Sequence, residues 1–88
     1  GLEMFDEIFE GSLKDNCFDV LFAANRSVTQ IELERLFAEL VALRELSARA
    51  NVSNEEINNF IFNNNGQMEQ GLSDLYIELT SSILSQNE

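Results

Sequence analysis

The stretch Ile31-Glu32-Leu33-Glu34-Arg35-Leu36-Phe37-Ala38-Glu39-Leu40-Val41-Ala42-Leu43-Arg44-Glu45-Leu46-Ser47-Ala48-Arg49-Ala50 decides the fold class. Its seam, Leu33, Leu36, Leu40, Leu43, Ser47 and Ala50, advances by alternating steps of three and four residues, like a short coiled-coil face. Strand alternation would require steps of two. Upstream stand two overlapping capping boxes, Ser27-x-x-Gln30 and Thr29-x-x-Glu32, so a helix is expected over about residues 28–50.

The same spacing extends in both directions. Downstream, Asn51 is expected to stop the long helix, and Ser53-x-x-Glu56 opens a short one through Phe62. Seven of the fifteen residues from Asn51 to Asn65 are Asn, a poor helix former, so this piece must depend on Ile57, Phe60 and Ile61 packing. Asn63-Asn64-Asn65-Gly66 reads as a left-handed stop, followed by a helix over about 67–86 with Met68, Leu72, Leu75, Tyr76, Leu79 and Ile83 on one side. Upstream, Leu2, Phe5, Ile8 and Phe9 share a face of a short first helix ended by Gly11. Ser12 then caps a second, whose stripe is Leu13, Cys17, Val20, Leu21 and Ala24. The expected fold is all-α, a compact bundle of four to five helices. Its two long antiparallel helices, about 28–50 and 67–86, carry shorter N-terminal helices and a short connecting helix. Residues 1–88 read as a single domain without repeats or linkers.

Composition narrows function by exclusion. The 88 residues contain 16 Asp and Glu against 5 Lys and Arg, a formal net charge of −11, with no His, Trp or Pro and one Cys. Imidazole catalysis, His-based or Cys-rich metal sites and an internal disulfide are excluded, and no cofactor is expected. Cys17, on an apolar stripe with no His to activate it, is expected to be a buried core thiol. The acidic residues read as a solvated face rather than a catalytic pair, so the chain is expected to be a non-enzyme. A calcium loop at Asn63–Gly66 fails because Ile61 and Leu72 would fill its first and last ligand positions.

The charge also argues against binding to nucleic-acid phosphates or anionic membranes. The longest apolar run, Val20 to Ala24, is five residues, far short of the roughly 20 a membrane span needs. A lone thiol and an acidic N-terminus without a signal pattern point to the cytoplasm. Residues 1–3 read as a cloning remnant ahead of Met4, or as a processed terminus.

Two features suggest how the surfaces work. Phe18 and Phe22 lie off the apolar stripe of their helix, among Lys14, Asp15 and Asp19. They are expected either beneath the first helix or at a partner or dimer interface, where phenylalanine is an effective anchor. Arg44 falls within the apolar stripe of the long helix. It is expected either to snorkel or to form an inter-helix or inter-subunit ion pair. Arg35 and Arg49 read as surface partners of Glu39 and Glu45.

The segment Leu46–Ile61 resembles a repressor-type helix-turn-helix, with Ser47, Asn51, Val52 and Ile57 at its small, turn and apolar positions. The resemblance implies a helix from Ser53 in the DNA major groove, with Asn58 and Asn59 reading adenine. Yet that helix carries Glu55 and Glu56 and no cation, and direct nucleic-acid binding is not expected.

The leading expectation is a non-enzymatic acidic interaction module, a regulatory adaptor, inhibitor or chaperone-like protein acting as a homodimer on a partner protein. Phe18, Phe22 and Arg44 form its interface, and Asp15, Asp19, Glu55 and Glu56 its field for a basic partner. The alternatives are an acidic DNA mimic that inhibits a basic DNA-binding protein, and a degenerate helix-turn-helix regulator.

Overall fold

The computed structural model describes residues 2–86, with side chains from residue 11 onward. Four helices follow one another: α1 (Leu2–Ala23), α2 (Arg26–Arg49), α3 (Asn54–Asn63) and α4 (Asn65–Gln86). The described residues contain no strand. The expected face of Leu2, Phe5, Ile8 and Phe9 lies outside the described side chains, and residue 1 outside the described backbone.

The first correction is at Gly11. Two N-terminal helices were expected there, but α1 runs unbroken through it. Glycine in a helix interior costs only about 1 kcal/mol, which favourable neighbours offset. Ser12 therefore caps nothing and lies within the helix. The second is the start of α2, where neither expected capping box forms. Asn25 is the cap, its Oδ1 accepting from the Ser27 backbone N–H at 2.9 Å and from the Ser27 hydroxyl at 2.7 Å. Thr29 instead donates its hydroxyl across the turn to the Leu21 carbonyl at 2.9 Å, tying α2 back to α1.

The end of α2 follows its sequence closely. Asn51 takes φ 60°, the Val52 N–H reaches the Ser47 carbonyl at 2.9 Å, and the Asn51 N–H reaches Ala48 at 3.1 Å. These two bonds close a Schellman motif, satisfying carbonyls the helix end would leave bare. Ser53 then caps α3, accepting from the Glu56 N–H at 3.1 Å. The expected left-handed stop at Asn63–Gly66 is absent. Asn64 alone turns the chain, at φ −128° and ψ 50°, while its side chain donates to the Phe60 carbonyl and its own carbonyl accepts from Met68. Gly66 lies inside the first turn of α4, which begins two residues earlier than expected.

Packing concentrates on α1 and α4. Cys17 of α1 and Leu79 and Ile83 of α4 are the buried apolar residues among those described. The Phe18 ring meets Tyr76 at 6.4 Å between centroids, and further along Val20, Ala23 and Ala24 border a small cleft with Ile83 and Leu84. The contacts advance in the same direction along both helices, so α1 and α4 run parallel. The start of α2 reaches the end of α4, while α3 bridges from the far end of α2 to α4. The result is a flat frame, 42 × 39 × 15 Å, its longer edges close to the roughly 36 Å length of a 24-residue helix.

Candidate functional site: an open apolar face on α2 and α3

The core expected along the α2 seam is not covered. Glu32 is the one buried residue of α2, and α3 has none. Phe37, Leu40, Val41, Leu43 and Leu46 are exposed along the second half of α2, and Ile57, Phe60, Ile61 and Phe62 along α3, the last at 80%. Between the two helices lies a groove of about 580 Å³ walled by Leu40, Leu43, Ala48, Val52 and Ile57. A second hollow of about 480 Å³ runs on from Val52 and Ile57 over Phe60, Ile61 and Met68. Shared walls make the two continuous. Contiguous exposed apolar surface of this kind is uncommon on monomeric soluble proteins.

The expected interface residues fall into two places. Arg44 borders the α2–α3 groove and is exposed. Among the described residues it makes no ion pair, so the inter-helix alternative expected of it is not seen there. Phe18 and Phe22 stack on α1 at 6.2 Å between centroids and 22° between planes. Phe18 is partly covered by Tyr76, whereas Phe22 is 85% exposed. Burial beneath a separate first helix does not occur at Phe22, because α1 is continuous and nothing folds back over its end. Phe22 instead borders a cleft of about 650 Å³ with Leu21, Leu33 and Phe37, and Arg26 at its margin. Cys17, the expected core thiol, is buried.

The four acidic residues expected to form the field, Asp15, Asp19, Glu55 and Glu56, are all exposed. Asp15 and Asp19 flank Phe18 on α1. Glu55 and Glu56 occupy the first turn of α3, where the positive end of the helix dipole favours them, so they stabilise α3 as well as colour its field. Among the described residues no cluster of acidic, Cys or His side chains is arranged to hold a metal ion, and no helix is long and apolar enough to cross a membrane.

One buried charged residue escaped the sequence reading. Glu32 is 1% exposed and sits where α2 meets the last turns of α4. Its Oε1 accepts from the Ser82 hydroxyl at 2.6 Å and from the Gln86 amide, and its Oε2 pairs with Arg35 at 2.6 Å. Arg35 thus turns back to Glu32 and not forward to the expected Glu39. A signal was present: Val28, Glu32 and Leu36 form a four-residue row on which the carboxylate interrupts two apolar neighbours. Glu32 positions α2 on α4, and the frame that spreads out beyond this contact presents the apolar face.

The family model described as "Domain of unknown function (DUF2018)" matches residues 9–88, nearly the whole chain. The chain belongs to the DUF2018 family. The match spans α2, α3, α4 and most of α1, so the open face and the Glu32 contact both lie inside the DUF2018 region. No curated protein and no solved structure matches the chain.

Proposed function

We propose that this DUF2018 chain is a non-enzymatic protein-interaction module, a regulatory adaptor, inhibitor or chaperone-like protein that works as a homodimer on a partner protein. One observation carries the reading: Leu40 and Leu43 of α2, Val52, and Ile57, Phe60 and Ile61 of α3 are exposed along a continuous groove. Each of these side chains is about half exposed and so forfeits roughly half of the about 1.5–3 kcal/mol that full burial is worth, a cost that a covering protein removes. The working surface is therefore centred on α2 and α3, with Arg44 within it and the Phe18–Phe22 pair a separate, smaller feature. The carboxylates outside the groove steer a basic partner and speed encounter.

Site-specific photo-crosslinking in the source cells tests the proposal. A benzophenone side chain replaces Leu43 or Phe60 in the groove, or Arg49 on the polar face of α2. Protein adducts at the first two positions, and none at Arg49, are the expected result. An absence of adducts at Leu43 and Phe60 refutes the reading.

A further inference from the structure

We infer that the Asn65–Gly66 step is a modification site, where the Asn65 side-chain amide is lost to water and aspartate or isoaspartate is left at the joint between α3 and α4. The sequence supplies the first condition. Of the ten asparagines, only Asn65 precedes a glycine. The reaction begins when the backbone nitrogen of the next residue attacks the asparagine Cγ, and a glycine there has no Cβ to crowd the approach. The Gly66 nitrogen loses its proton and bonds to Cγ, the Cγ–Nδ2 bond breaks, and ammonia leaves carrying a proton in its place. One water then opens the five-membered imide. Opening at Cγ gives aspartate; opening at the main-chain carbonyl gives isoaspartate, with the backbone rerouted through the side chain. The balance is one water taken up and one ammonia released.

The structure supplies the second condition, a free nitrogen. Inside a helix each backbone N–H is held by a carbonyl one turn earlier, but the first donors of a helix have no such partner. Gly66 lies among those first donors of α4, whose opening bond runs from the Met68 N–H to the Asn64 carbonyl at 2.9 Å. Asn64 could have capped this end, yet its side-chain amide turns back to donate to the Phe60 carbonyl at 2.9 Å. Among the described residues no side chain accepts from the Gly66 N–H, and the Asn65 amide has no hydrogen-bond partner. Both residues are exposed, and a Cβ built on Gly66 would meet nothing within 4 Å, so the reacting atoms stand in open solvent. Asn51 shows the contrast. The Val52 N–H that would attack it is tied to the Ser47 carbonyl at 2.9 Å and crowded by a β-branched side chain. The consequence at position 65 is mechanical, because Asn64 alone separates α3 from α4. An isoaspartate there adds one carbon to the main chain inside the turn that the Met68–Asn64 bond closes. None of this depends on the interaction reading above.

Incubating the intact folded chain in warm, mildly alkaline buffer, with tandem mass spectrometry at intervals, tests the inference. Cleavage after Glu56 and Glu69 releases a fragment holding five asparagines, and its fragmentation places the mass gain on one of them. Labelling by an isoaspartyl carboxyl methyltransferase separates isoaspartate from aspartate. Conversion at Asn65 should outpace every other asparagine by at least about tenfold, with isoaspartate among the products. The folded chain should react within about tenfold of the rate in concentrated urea, because the first turn frays and leaves the Gly66 nitrogen free. Gly66→Ala, which the open space and the helical backbone accommodate, should slow conversion at least about tenfold. Faster conversion at another asparagine overturns the inference. So does a folded-state rate more than about tenfold below the urea rate, which is the protection a closed helix gives, or a Gly66→Ala chain that reacts as fast as the native one.

Discussion

Replacing Glu32 with alanine strips the contact between α2 and α4 of its acceptor while leaving the surrounding helices intact. The Ser82 hydroxyl donates to a buried carboxylate at 2.6 Å, and a charge-assisted bond of that kind contributes about 1.5–3 kcal/mol. The Arg35 pair counts for less. Its side chain is 56% exposed, which places it near the surface range of about 0–1 kcal/mol. Against these gains stands the cost of keeping a carboxylate out of water, and alanine removes that cost together with the bonds. The expected net loss is about 2–3 kcal/mol, read as a lower urea midpoint with unchanged slope at one fixed protein concentration. Glu32→Met fills the same space without charge and should cost about 1 kcal/mol or less. A Ser82→Ala cycle with Glu32→Ala should return a coupling of about 1 kcal/mol or more. If Glu32→Ala falls within about 0.5 kcal/mol of the native chain, the carboxylate does not hold α2 on α4 and the positioning argument fails.

Five further substitutions probe the fold. Gly11→Ala should stabilise by about 0.5–1 kcal/mol in thermal melts, because its Cβ meets nothing within 4 Å and the helix is continuous there; a loss would restore the expected break. Asn51→Gly should be neutral or mildly stabilising, and Asn51→Val should cost about 1–2 kcal/mol by chemical denaturation, since φ is 60° at this position; equal stability of the two variants would refute the Schellman ending. Ile83→Ala should cost about 2–5 kcal/mol and Phe22→Ala under about 1 kcal/mol, in keeping with 0% and 85% exposure. The reverse order would put Phe22 in the core.

How far the sequence could be read differs from element to element. The Schellman ending at Asn51 and the Ser53 cap are local events, settled by a few neighbouring dihedrals and hydrogen bonds, and the residues announce them. Gly11 and Asn63–Gly66 misled because propensity at one residue is worth about 1 kcal/mol, which flanking helix outweighs. The Phe18–Phe22 pair was legible as surplus apolar surface. Its fate was not, because it depended on whether a separate first helix folded back over it.

The sequence by itself determined an all-helical chain, the C-terminal end of α2, the start of α3, the acidic charge and the lack of His and of a second Cys. These follow from periodicity, capping and composition, which act within a few residues or over the chain as a sum. Only the tertiary structure decided which apolar stripes pair. The stripes of α1 and α4 close on Cys17, Leu79 and Ile83, while the equally regular seam of α2 stays open beyond Leu36. Hydrophobic spacing marks a face that must be covered but carries no label for what covers it, because burial is non-directional and depends on area alone. Glu32 supplies the direction. One carboxylate bonded to Ser82, Gln86 and Arg35 fixes the start of α2 on the end of α4, and α3 then holds its far end away from the α1–α4 core.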